Sequence, residues 1–193
     1  YDLAATRTGE REVPRLYLTA LPGDLDKHAP IEARKELFLL AVLPQILRVN
    51  ENILRHRTAL LELRDRQQSG TRFGSSATGW LEKMGELYDV EAPAKNLDEM
   101  LRRVDIIPPA LALAQAAAES GWGTSRFAVE GQALFGQWTF SDRVRGMMPA
   151  QRTGSATHRV RRFNRLIESV WGYAVNLNSH RAYTGFRKLR AQQ

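Results

Sequence analysis

The sequence predicts a mainly α-helical protein with one small β element. Apolar residues recur at helical spacing through most of the chain. Proline and glycine fall where helices start and stop. Alternation of polar and apolar residues is confined to the neighbourhood of His158–Phe163.

Residues 1–30 carry Pro14, Pro22, Gly23 and Pro30 and read as an extended arm with turns. Residues 31–68 form the longest helical pattern, with Leu37, Leu40, Ile46, Leu47, Ile53, Leu54, Leu60 and Leu61 near helical spacing. Pro44 lies inside this run and is expected to kink or split it, because it lacks an N–H and clashes with the preceding turn. Residues 69–76 are a loop, and a short helix fits 78–88 with Trp80, Leu81, Met84 and Leu87 on its apolar face. Asn96, followed by Asp98 and Glu99, reads as the N-cap of a helix to about Val104. Pro108-Pro109 opens the next helix and Gly121 closes it. A short helix and a tight apolar segment fit 124–138, and a small hairpin fits 139–163. Asn164 is expected to cap a helix over about 165–179, and a last helix fits 184–190.

With 193 residues, 43% hydrophobic and 25% charged, the composition is that of a globular protein and excludes a disordered, collagen-like or disulfide-framework chain. The size suits one domain, or one domain with an appended helical arm. The expected division is an extended arm and helical segment over 1–95 and a C-terminal domain over 96–193. No run of 18 apolar residues occurs, so no membrane span is expected. The chain begins at Tyr1 rather than Met, which fits a processed protein and leaves open a signal or anchor upstream. There is no cysteine, which removes thiol catalysis and thiolate metal sites. The four histidines show no paired ligand spacing, so neither a metal nor another cofactor is expected.

Charge is distributed unevenly. Residues 1–104 balance 16 basic against 16 acidic side chains, whereas 105–193 hold 12 basic and five acidic ones and carry the whole net charge of +7. A basic C-terminal half suits an anionic partner, and a solvated basic face is the competing reading. No helix-turn-helix, zinc or stacking motif accompanies the charge, so nucleic acid is not the expected partner.

Glu119 is the first candidate for chemistry. It follows three alanines on a largely apolar helix, so partial desolvation is expected, and it sits in the last turn, where the helix dipole disfavours a carboxylate. Gly121 and Gly123 flank Trp122 and let the backbone bend and a ligand approach. A carboxylic acid kept protonated is what a glycosidase needs to protonate a leaving oxygen. A lone glutamate at such a place is more often an exposed helix-end residue, and spacing alone does not decide between the two.

The string Ala114-Gln115-Ala116-Ala117-Ala118-Glu119-Ser120-Gly121-Trp122-Gly123-Thr124-Ser125, followed by Ala133-Leu134-Phe135-Gly136, resembles the glucosaminidase family of bacterial peptidoglycan hydrolases (glycoside hydrolase family 73). The stretch Phe163, Glu168-Ser169-Val170, Tyr173, Asn176-Leu177 and Arg181-Ala182-Tyr183 resembles that family's closing helices. Val13–Leu18 and the helix from Arg34 are similar to its Bax-like branch. The resemblance implies a lysozyme-like helical fold with a cleft and a β-hairpin lobe. It implies hydrolysis of the β-1,4 bond after N-acetylglucosamine in peptidoglycan, in the periplasm or cell envelope, by a chain acting as a monomer. Glu119 then matches the general acid and Tyr183 the active-site tyrosine. Trp122, Phe135, Gln137, Trp138 and His158 are the candidate substrate-binding residues, with core packing the competing reading for the aromatics and an ordinary exposed strand residue that for His158.

Two departures bear on mechanism. Ala133 stands where many relatives have Asn. Many relatives also carry a second acid on the hairpin, where this chain reads His158-Arg159-Val160-Arg161-Arg162; between Gly136 and Phe163 the one carboxylate is Asp142. Three routes follow: Asp142 as general base for inversion, the substrate's acetamido oxygen as nucleophile oriented by Tyr183, or Glu119 alone. The competing functions are a lytic transglycosylase using the same glutamate and a non-catalytic wall-binding module.

Overall fold

The structure is a computed structural model that describes residues 1–22, 25, 30–141, 143–148 and 159–192. In chain order its elements are α1 (Leu3–Arg7), α2 (Ile31–Gln68), α3 (Ser75–Tyr88), α4 (Leu97–Arg103), α5 (Pro109–Ser120), α6 (Arg126–Gly131), β1 (Trp138–Thr139), β2 (Gly146–Met147), β3 (Arg159–Arg161), α7 (Leu166–Ser179), a 3-10 turn (Arg181–Tyr183) and α8 (Thr184–Arg190). The mainly α class with a small sheet and a long N-terminal helix is as the sequence predicts.

Two compact units interleave along the chain. The first is Tyr1–Val49 with Pro108–Tyr173, and the second is Asn50–Ile107 with Ala174–Gln193.

In the first unit the arm is not wholly extended. Asp2 accepts from Ala5 N–H (3.1 Å) and the Thr6 hydroxyl bonds Asp2 O (2.8 Å), so a local cap closes the helical turn α1. Pro44 does not split α2, which is continuous from Ile31 to Gln68. Burial explains this: Phe38, Ala41, Val42, Ile46 and Val49 are all in the core, so tertiary packing outweighs the hydrogen bond that Pro44 cannot donate. Nearby, the buried Gln45 donates to Leu18 O (2.9 Å). By length and composition α2 is apolar enough to cross a membrane, with an 18-residue window of mean hydropathy 1.4, but half of that window is buried within the fold. Pro109 occupies the first turn of α5, as predicted, and the remaining core of this unit gathers Ala112, Ala116, Leu134 and Leu166.

The expected hairpin is a three-stranded antiparallel sheet in the order β1-β3-β2. Trp138 pairs with Val160, and Val160 with Met147. Val160 is buried with Ala133 and Phe163, and Phe127 of α6 packs on this cluster, so one sheet face is seated on α6. The hairpin reading missed the extra strand because two-residue strands carry too little alternation to register.

In the second unit Ile53, Leu60, Leu81, Tyr88 and Met100 form the core. Asn50 bonds Ile107 at both ends, Nδ2 to its O (2.8 Å) and Oδ1 from its N–H (3.0 Å). Asn96 stands before α4 as predicted but does not cap it; its Nδ2 donates backwards to Glu91 O (2.7 Å). Arg190 is half-buried and donates to Ile106 O (3.0 Å) and Asn178 Oδ1 (2.8 Å), with Asp105 3.8 Å away. Burial pulls its guanidinium down to about 10, against the opposing charge of Asp105.

Candidate active site

The chemistry-bearing segment begins where α5 ends. Gly121, Trp122 and Gly123 lie successively in the left-handed region, with φ of 58°, 57° and 80°. For a bulky residue such as Trp122 this conformation is unfavourable and has to be held by its surroundings. Ser120 does the holding. It is fully buried, its hydroxyl donates to Ala116 O (2.6 Å), and the same oxygen accepts from Gly123 N–H (2.8 Å). Trp122 N–H returns to Ala117 O (2.8 Å) and Ser125 N–H to Ser120 O (2.9 Å), closing the turn. Gly123 is the position where only glycine fits: a β-carbon would stand 2.9 Å from Leu21 Cδ1 and 3.2 Å from Phe38 Cδ2.

Glu119 is exposed, which corrects the expected desolvation. The alanines before it divide between the two helix faces: Ala116 and Ala117 are buried, while Ala118 points outward. Glu119 Oε2 faces the Leu134-Phe135-Gly136 turn, 3.8 Å from where a β-carbon on Gly136 would be. The two quoted motifs therefore meet in space. Gln115, one turn before Glu119 on the same exposed face, accepts a hydrogen bond from the Tyr173 hydroxyl. The Tyr173 ring stacks on Phe135, with centroids 3.9 Å apart and planes 6° from parallel. The result is an aromatic and amide platform next to the carboxylate.

Gln137 turns inward. Its Nε2 donates to Ser169 O (3.0 Å) and its Oε1 accepts from the Ser169 hydroxyl (3.4 Å), while Leu134 N–H donates to the same hydroxyl (3.1 Å). In this conformation Gln137 anchors the Leu-Phe-Gly turn to α7. Trp122 is half-buried, edge-on to Phe38 (5.7 Å) with Lys35 Nζ 5.8 Å from its ring, and it lines a cavity of about 350 Å³ with residues of α1 and α2. Trp138, on β1, is 63% exposed. Tyr183 belongs to the second unit. There it closes the 3-10 turn capped by His180, whose ring lies 6.2 Å from its own. The buried Arg187 fixes that turn, donating to Leu177 O and His180 O (2.9 Å each). Asp142 and His158 lie outside the described residues.

Sequence reasoning quoted Gln115, Ser120, Ser169 and Tyr173 within the family strings without giving them a role, and it did not single out Arg187. A signal existed for Gln115, since four-residue spacing puts it on the face of Glu119. The pairing of Tyr173 with Gln115, 58 residues apart, left none.

A mainly helical fold with a small antiparallel sheet beside a glutamate-bearing helix end is the lysozyme-like architecture of glycan-cleaving proteins. The chain belongs to the glucosaminidase family: the family described as mannosyl-glycoprotein endo-beta-N-acetylglucosaminidase matches residues 94–193. It is also similar to "Protein bax" of Escherichia coli (strain K12), 35% identical over 178 residues that cover 90% of this chain. The chain spans 61% of that relative's length. No solved structure matches it.

Proposed function

We propose that the chain is a peptidoglycan hydrolase, an endo-β-N-acetylglucosaminidase that cuts the β-1,4 bond after N-acetylglucosamine with Glu119 as general acid. The observation that supports this best is the meeting of Glu119 with the Leu134-Phe135-Gly136 turn, in a chain of the glucosaminidase family. Glu119 protonates the leaving oxygen; the bound glycan excludes water from a carboxyl that the protein leaves exposed. Phe135, held by the buried Tyr173 stacked on it, offers the flat apolar surface that sugar rings use. Tyr183 orients the acetamido group or the attacking water. The catalytic part is 96–193, with 1–95 as the supporting arm and helical segment, and the protein works as an exported monomer in the periplasm or cell envelope.

A second reading is favoured by one observation. Strand β3 reads Arg159-Val160-Arg161 and carries no acid, and a lytic transglycosylase needs only one glutamate. Mass spectrometry of borohydride-reduced products from purified peptidoglycan separates the two. Reduced N-acetylglucosamine ends that vanish in Glu119→Gln support the glucosaminidase. Anhydromuramic ends transfer the assignment to a transglycosylase. Binding to sacculi without release of product leaves a wall-binding module.

A further inference from the structure

The charge of this protein is concentrated in one place. Residues 126–165 hold eight Arg, no Lys and two acids, so this segment supplies most of the net +7. The choice of arginine throughout matters, because the guanidinium fork pairs with carboxylates and phosphates through two parallel hydrogen bonds, whereas an ammonium acts as a point charge.

The sheet organises part of this charge. Val160 faces the core, so its neighbours Arg159 and Arg161 on β3, the central strand, share the opposite face. Arg159 lies opposite Thr139, and Arg161 opposite Gly146. Gly146 makes this possible: a β-carbon there would come within 2.6 Å of Arg159 Cβ and 3.3 Å of its Cδ. The Arg159 stem thus crosses a strand that offers no side chain, and its head donates to Ser141 O (2.9 Å). The Arg161 head rests over the Phe163 ring at 4.8 Å and is exposed. Arg145 and Arg162 adjoin them, joined by Arg162 N–H to Arg145 O (2.8 Å). None of Arg145, Arg161 and Arg162 has an ion-pair partner among the described residues. At the sheet edge β1 begins two residues after the Gly136 that faces Glu119; Thr139 shares the arginine face, while Trp138, paired with Val160 and 63% exposed, is on the other.

We propose that this sheet face docks the carboxylates carried by the peptide stems of a glycan strand, with Arg159 and Arg161 pairing with the carboxylates. The inference rests on the hydrolase reading above and adds its specificity: anionic, peptide-bearing strands over neutral β-1,4 glycans. The short chain path from Gly136 to β1 favours this occupant over nucleic acid or a lipid surface, because a strand held at Glu119 continues onto the same unit.

The test measures binding of the unaltered chain to soluble peptidoglycan strands, and to the same strands after their carboxylates are coupled to methylamine. A DNA oligonucleotide and vesicles containing anionic lipid serve as competitors. We expect native strands to bind roughly fivefold to tenfold more tightly than amidated ones, as two or three exposed charged contacts allow, with the difference shrinking as salt is raised. The double variant Arg159→Gln/Arg161→Gln should lose that preference and Arg159→Lys/Arg161→Lys should keep part of it, each with circular dichroism to establish folding. Equal binding of native and amidated strands by the unaltered chain overturns the proposal without any variant. DNA or vesicles that bind as tightly as native strands overturn the choice of partner. Failure of the hydrolase reading shows separately, as absence of product from both substrates.

Discussion

Replacing Ser120 with alanine removes one oxygen that performs two tasks. The hydroxyl accepts from Gly123 N–H and donates to Ala116 O, and both Ser120 and Gly123 are buried. Without it the Gly123 N–H has no water to turn to, and an orphaned buried donor costs about 1–3 kcal/mol. Ala116 O keeps its place in the helix and loses only a second bond. For a chain of this size that loss corresponds to a fall in Tm of roughly 3–10 °C. The local consequence is sharper than the global one, because this bond holds the left-handed run from Gly121 to Gly123 that begins two residues after Glu119. Thermal melts and urea titration of the unaltered chain and of Ser120→Ala measure the loss. Gly123→Ala is the natural comparison: a β-carbon 2.9 Å from Leu21 at a φ of 80° combines crowding with backbone strain, and about 2–4 kcal/mol is expected. A Ser120→Ala variant that melts within about 1 °C of the unaltered chain, on the scale just used, refutes the reasoning, since the turn would then be held by its backbone bonds alone.

Three further outcomes follow from the same geometry. Arg190→Met should lower stability by about 3 kcal/mol or more, because it strips Ile106 O and Asn178 of their donor and leaves Asp105 with less compensation; chemical denaturation reads this out. Burial alone would raise the Glu99 carboxyl, but the hydrogen bond and charge of Arg103 and the charge of Arg102 hold it below its ordinary 4.5. A depressed carboxyl contributes stability that is present above that value and lost as pH falls through the folded one, so stability should decline below about pH 4.5, and Glu99→Gln should flatten that limb in pH-dependent melts. Tyr173→Phe keeps the ring stack on Phe135 and removes the bond to Gln115; a stability change of about 1 kcal/mol is expected, with a larger drop in peptidoglycan turnover than in binding if the platform positions the sugar at Glu119.

Helix starts and stops were legible because their causes are local. Pro109 and Gly121 act through their own backbone preferences, and both stand where predicted. Pro44 shows the limit of that logic: its local penalty is real, but Phe38, Val42 and Ile46 bury the helix around it, and the sequence does not say how completely. Asn96 shows the same limit at smaller scale: its side chain could accept from an N–H of the helix ahead or donate to a carbonyl behind, and it does the second. Glu119 stood out by motif, but its environment did not: three alanines read as desolvating only if they share a face, and helical spacing places two inward and one outward. What surrounds the carboxylate depends on pairings such as Tyr173 with Gln115 and Gln137 with Ser169, 58 and 32 residues apart. Those pairings are set by how α7 lies on its unit, which no periodicity encodes. The arginines of β3 invert the case. Their number and alternation were plain in the sequence, but the room for the Arg159 stem depends on Gly146 in the neighbouring strand, a strand too short to be read from its pattern.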